Sequence, residues 1–243
     1  MVLTTEDVIK QEPLFDGFVP FVEIAIQVKQ LPFDQQIAFF CSCYERIIPI
    51  YMLVNGNDGW GDISILYSVR DDLWKIAGGR DVNQGMIANL INRANEIFVE
   101  YNDDNRDDEW EIRQGLYVFF GEEAFEISKL ILKYIDLNAL DVYLKIFIKI
   151  IFVMHEYASM YFDNISSDPN WLSITKLNQL GFTVMNNSLM QAELHKELAD
   201  LEFLKNTPKL TPEILSIFRA NTCPNGVGIL GSLDKVRANL EEP

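Results

Sequence analysis

The chain is predicted to be all-α, a single globular bundle of about eight to ten helices, because apolar residues recur at helical spacing along most of its length. Cap and stop residues stand at the ends of those periodic stretches, which supports the same fold class. The 243 residues are 49% hydrophobic and include 16 Phe, enough to fill a large core without a disulfide or metal. No fixed-period repeat or low-complexity tract interrupts the pattern. Residues 1–243 therefore read as one helical domain. Residues 1–32 form an N-terminal extension packed on it, and residues 102–111 form an acidic surface loop.

The first helix starts at Thr4 or Thr5, either of which can cap it, and Pro13 closes it. A second runs from Pro20 to Gln30 with Phe21, Ile24, Ala25 and Val28 on one side; Pro20 suits the first helical position. From Phe33, the residues Ile37, Phe40, Cys41, Tyr44, Ile47 and Ile48 fall on one helix face. Pro49 lacks the donor for the carbonyl four residues earlier, so a stop or kink is expected there. The segment NGNDGWGD reads as a tight turn, with Asp62 as cap of the next helix. In that helix Ile63, Leu66, Tyr67, Leu73 and Trp74 share a stripe, and Gly78-Gly79 ends it.

Helical spacing resumes from Asn83 through Ile87, Leu90, Ile91, Ala94, Ile97, Phe98 and Tyr101. The polar stretch YNDDNRDDEWE follows as a surface loop. Residues 112–120 are rich in aromatic and apolar side chains, and Gly121 is expected to interrupt them before a helix through Phe125, Ile127, Leu130, Ile131 and Tyr134. Leu140 to Phe162 is the longest pattern, apolar nearly all round, and is expected to lie centrally and pair with the Phe33 helix. A helix from Pro169 to Leu180 ends at Gly181. The next, capped by Asn186 or Asn187, runs through Leu189, Leu194, Leu198, Leu201 and Leu204. Thr211-Pro212-Glu213 starts another helix, and a last short one runs from Ser232.

Thirty-six acidic residues against 20 basic ones set the net charge at −16. Nine acids and two bases fall within residues 101–126. This balance disfavours binding to nucleic acid phosphates and suits an acidic face that steers a basic partner. Three Cys, an odd number, fit a reducing compartment. The acidic opening MVLTTEDVIKQEP has no basic start followed by an apolar run, and the apolar tract from Ile146 to Met154 is too short for a bilayer. A cytoplasmic location without membrane contact is expected.

Catalytic and metal motifs are sparse. Gly226 to Gly231 matches GxGxxG, but a helix precedes it and only 12 residues follow, so no nucleotide-binding unit fits. His155-Glu156 lacks the second His of a zinc protease. Cys41 and Cys43 lie on different helix faces, and no spacing supports a Cys43–His155 nucleophile pair. No Glu-x-x-His occurs. No cofactor and no metal ligand is assigned. Glu45 and Arg46 are the notable charges, midway along an apolar helix. They read as a structural pair satisfied by neighbours, with Asp62, Asp71 or Asp72 as partners of Arg46, or as a catalytic carboxylate beside a guanidinium.

The string CSCYERIIPIY, then GWGD, then DDLW, resembles the YjaG-like family of bacterial proteins of unknown function. That family carries Cys-x-x-Glu-Arg-x-x-Pro-x-Tyr, a Gly-Asp turn and a helix ending in Trp. The matching residues are Cys43 (one position nearer the glutamate, with Cys41 as the alternative), Glu45, Arg46, Pro49, Tyr51, Gly61, Asp62 and Trp74. The Gln-Glu-rich helix from Gln191 to Leu204 and the closing IFRANTCPNGVGI extend the likeness over residues 33–230. The resemblance implies an all-helical globule without an assigned activity. Relatives beside toxin genes would imply an immunity role.

Together these readings favour an acidic protein-binding protein, most concretely an immunity protein that occludes a basic toxin domain and is not an enzyme. Asp103, Asp104, Asp107, Asp108, Glu109, Trp110 and Glu111 are the candidate contacts, with Trp110 as anchor among carboxylates. A regulatory helical protein, active as a homodimer or with another partner, is the alternative. An enzyme built on Glu45, Arg46 and Asp62 is a third.

Overall fold

A computed structural model of the chain describes residues 4–11, 17–58, 63–95, 108–162 and 188–223. Among these residues there are nine helices and no strand. They are α1 (Thr5–Gln11), α2 (Val19–Val28), α3 (Phe33–Asp58), α4 (Ile63–Ala77), α5 (Gln84–Asn95), α6 (Asp108–Leu137), α7 (Leu140–Phe162), α8 (Ser188–Lys205) and α9 (Pro212–Thr222). None of them is long and apolar enough to cross a membrane.

Local chemistry places several helix ends. Thr4 caps α1 reciprocally: its Oγ1 accepts from the Asp7 amide at 3.2 Å, and Asp7 Oδ2 accepts from the Thr4 amide at 3.1 Å. Asn83 Oδ1 accepts from the Met86 amide at 2.9 Å and starts α5. Thr211 caps α9 through the Ile214 amide, with Pro212 at the first helical position. The end of α4 is a Schellman turn. Gly79 adopts φ +88°, its amide donates to the Ile76 carbonyl, and the Arg80 amide donates to the Lys75 carbonyl.

α3 is the central element, in contact with α4, α6, α7, α8 and α9. Residues 37–44 of α3 are buried on every side. α7 packs on α3 as expected, but α3 holds the centre. Phe40 meets Tyr143 and Phe147 at 5.3 Å between ring centroids and Tyr134 at 5.8 Å; Phe39 stacks on Phe147 at 5.8 Å. Such pairs add about 0.5–1.5 kcal/mol each beyond their buried area. α6 and α7 are joined by Asn138 and Ala139, with Asn138 in the left-handed region at φ 46°. α2 covers α7 and α8, α1 packs on α2, and α5 packs on α4 and α6.

Several expected interruptions do not occur. α3 continues through Pro49 to Asp58, so Asn55 to Asp58 are helical rather than a turn. Pro49 frees the Glu45 carbonyl, and the Cys223 thiol donates to that oxygen at 3.8 Å, a tertiary substitute for the missing helix bond. α6 likewise runs unbroken through Gly121. The acidic loop also ends earlier than expected: Asp108, Glu109, Trp110 and Glu111 form the first turn of α6. The expected cap at Asp62, the helices at 169–180 and from Ser232, and the GxGxxG segment lie outside the described residues.

Candidate functional site

The inner face of α8 carries acids as well as leucines. Of the leucines that trace the helix in the sequence, Leu201 and Leu204 are buried, while Leu198 is 43% exposed. Met190, Glu193, Glu197 and Asp200 are buried beside them. Three acids at positions i, i+4 and i+7 thus form one inward stripe. They face Ser42, Cys43 and Arg46, which share a face of α3 for the same reason.

Arg46 organises this interface, with its side chain 0% exposed. Its Nε donates to Glu193 at 3.0 Å and its Nη2 to Glu193 Oε1 at 2.7 Å. Its Nη1 donates to Asp200 Oδ2 at 2.8 Å and to Ser42 Oγ at 2.7 Å. Ser42 passes its own hydrogen to Asp200 Oδ2 at 2.6 Å, and Lys196 binds the other Asp200 oxygen. Burial works against the Arg46 charge, but Glu193 foremost, followed by Cys43 and Asp200, more than restores it, and the guanidinium stays charged.

Cys43 and Glu197 complete the cluster. The Cys43 thiol lies 3.9 Å from Glu197 Oε1, and Arg46 Nη2 lies 3.4 Å from its sulfur. Burial foremost pushes the Cys43 thiol well above its ordinary value. Burial, then the adjacent Glu193 carboxylate, raises Glu197 far above the usual carboxylate range and favours its protonated form. Glu197 Oε2 is buried without a hydrogen-bond partner. Cys43, Glu193 and Glu197 offer one ligand atom each within 4.8 Å of one another, so they could hold a metal ion.

Glu45 faces a different side of α3 from Arg46. It receives the Trp74 indole N–H and pairs with Arg70 at 3.4 Å and Arg219 at 3.3 Å. Arg219 also binds Asp71 at 2.5 Å and lies over the Trp74 ring, 5.5 Å from its centroid. This network ties α3, α4 and α9 together and is only partly buried. Burial opposes the Asp71 charge, but the Arg219 hydrogen bond and the Arg70 charge hold its carboxyl below the ordinary value.

The structure thus brings Glu45 and Trp74 into contact and separates both from the Arg46 cluster. Of the partners expected for Arg46, Asp71 and Asp72 are engaged elsewhere, and Asp62 lies outside the described residues. Asp71 is taken by Arg70 and Arg219, and Asp72 by Lys75, Arg80 and Arg93. Pro49 and Tyr51 lie within α3; Gly61, Asp62, Asp103, Asp104 and Asp107 lie outside the described residues. Glu193, Glu197 and Asp200 were missed as site residues. The available signal was their i, i+4, i+7 spacing, set against an Arg in an apolar helix that requires acidic partners.

No protein-family model matches the chain, and no curated protein matches it. Among solved structures, the chain resembles the crystal structure of a DUF416 family protein from Shewanella baltica OS155. The TM-score is 0.63, with 85% of this chain and 96% of that chain covered at 19% identity. At that identity the likeness establishes a shared all-helical fold, that of a family whose function is unknown.

Proposed function

We propose that the chain is a non-catalytic, cytoplasmic protein-binding protein, and specifically a YjaG-like immunity protein that neutralises a cognate bacterial toxin by occluding it. The charge distribution carries this reading. The net charge is −16, with nine acids against two bases in residues 101–126, and Asp108, Glu109 and Glu111 open α6. A concentration of acidic residues of this kind accelerates encounter with a basic surface and favours it over neutral ones. By contrast, Arg46, the most unusual charge in the sequence, is committed to a buried structural cluster.

The test is capture of tagged protein from its own cells at low and moderate salt, with bound proteins identified by mass spectrometry. A stoichiometric basic toxin domain is the expected product. Changing Asp103, Asp104, Asp107, Asp108, Glu109 and Glu111 to Asn or Gln should then slow association and flatten its salt dependence. Recovery of no basic partner, or an unchanged association rate at low salt, refutes the proposal. A second reading, a self-associating regulatory protein, draws support from Leu198 and Ile217, exposed by 43% and 55% on the contacting helices α8 and α9. Sedimentation of the purified chain distinguishes it.

A further inference from the structure

We propose that Cys43, Glu193 and Glu197 form a buried zinc site that fastens α8 to α3. The proposal is independent of the toxin-binding reading. Their three ligand atoms lie within 4.8 Å of one another, and the Cys43 sulfur is 3.9 Å from Glu197 Oε1. A tetrahedral zinc with bonds of about 2.0–2.3 Å sets neighbouring ligand atoms roughly 3.3–3.6 Å apart. Closing the site takes a contraction of about 0.4 Å at the Cys43–Glu197 pair and of at most about 1.5 Å at the widest pair, within the reach of glutamate rotamers.

A second observation is independent of this spacing. Glu197 is fully buried, and its Oε2 has no hydrogen-bond partner. Buried polar atoms are nearly always satisfied, so an orphaned oxygen on a carboxylate whose other oxygen lies beside the Cys43 thiol marks a place for a cation. The ion pairs point the same way. Among the described residues, Glu193 and Asp200 have Arg46, Asp200 has Lys196 as well, and no ion pair engages Glu197.

The surroundings supply the outer shell that metal sites need. Arg46 grips Glu193 through two nitrogens and lies 3.4 Å from the Cys43 sulfur, so it orients two of the three ligands. A carboxylate has about four lone-pair positions, so Glu193 can serve Arg46 and a cation together. Asp200 is held by Ser42, Arg46 and Lys196 and belongs to the support rather than the ligand set. The thiolate selects zinc over magnesium or calcium, and water supplies the fourth ligand. Zinc enters as the Cys43 thiol and the Glu197 carboxyl release their protons to solvent, which leaves the net charge of the cluster unchanged.

The experiment uses the full chain, stripped with a chelator and then dialysed against zinc or cobalt(II). Bound metal is counted by mass spectrometry, and the cobalt form is examined for thiolate-to-metal charge-transfer absorption. One metal per chain with that absorption is expected. Cys43→Ser and Glu197→Gln should each weaken binding about tenfold or more. Cys41→Ser, on another face of α3, should bind as the parent does. Glu197→Gln has the shape of the protonated acid and so decides the matter even if Cys43→Ser does not fold. Substoichiometric metal in the parent chain, no thiolate band, or undiminished binding by Glu197→Gln overturns the proposal.

Discussion

Replacing Arg46 with Met tests whether the buried ion cluster holds the two halves of the bundle together. Met preserves most of the side-chain length, so the change removes charge and hydrogen bonds with little cavity. Glu193 then loses the donors to both of its oxygens, and Asp200 keeps only Ser42 and Lys196. Breaking a buried pair from one side costs about 3–5 kcal/mol, because an uncompensated charge stays inside. That is a large share of a typical domain stability of about 5–15 kcal/mol. With a urea slope of about 3 kcal/mol/M, the unfolding midpoint should fall by roughly 1–1.7 M. The triple change Arg46→Met, Glu193→Met, Asp200→Leu should recover most of the loss, since apolar replacement of a whole buried cluster is often neutral. A single-variant loss under about 1 kcal/mol would refute the claim that Arg46 is the principal tie between α3 and α8.

Two further outcomes are expected. In chelator-treated protein, Glu197→Gln should leave stability unchanged at pH values below the ordinary glutamate range and raise it above that range. The folded carboxyl holds its proton to higher pH than the unfolded one, so the parent loses about 1.4 kcal/mol per pH unit through that window while the variant does not. Parallel stability–pH curves would contradict the buried, protonated Glu197. Gly79→Ala should cost about 1 kcal/mol, read as a lowered melting temperature. Nothing lies within 4 Å of the added methyl, so the φ of +88° alone carries the cost, and an unchanged melt would refute it.

Helix ends set by neighbours in sequence were legible. Thr4, Thr211-Pro212 and Gly78-Gly79 satisfy or release backbone groups within a turn, so their chemistry needs no tertiary context. The expected breaks at Pro49 and Gly121 failed because those residues carry a cost rather than a prohibition, and packing offsets it. For Pro49 the substitute donor comes from Cys223, 178 residues beyond the Glu45 carbonyl that it satisfies. The acids on the inner face of α8 were not anticipated for a related reason. Hydrophobic periodicity assumes that carboxylates turn outward, but Arg46 on α3 pairs with Glu193 and Asp200 and holds both inside.

By itself, then, the sequence determined the all-α class, several helix ends, the acidic character and the importance of Glu45 and Arg46. Only the tertiary structure decided that these two neighbours serve separate networks, Glu45 with α4 and α9 and Arg46 with α8. It also decided that a thiol and two carboxylates converge at the second. Successive residues on a helix project about 100° apart, so adjacent charges are directed to different partners. The identity of those partners, 147 and 154 residues along the chain for Arg46, follows from how helices pack rather than from any local spacing.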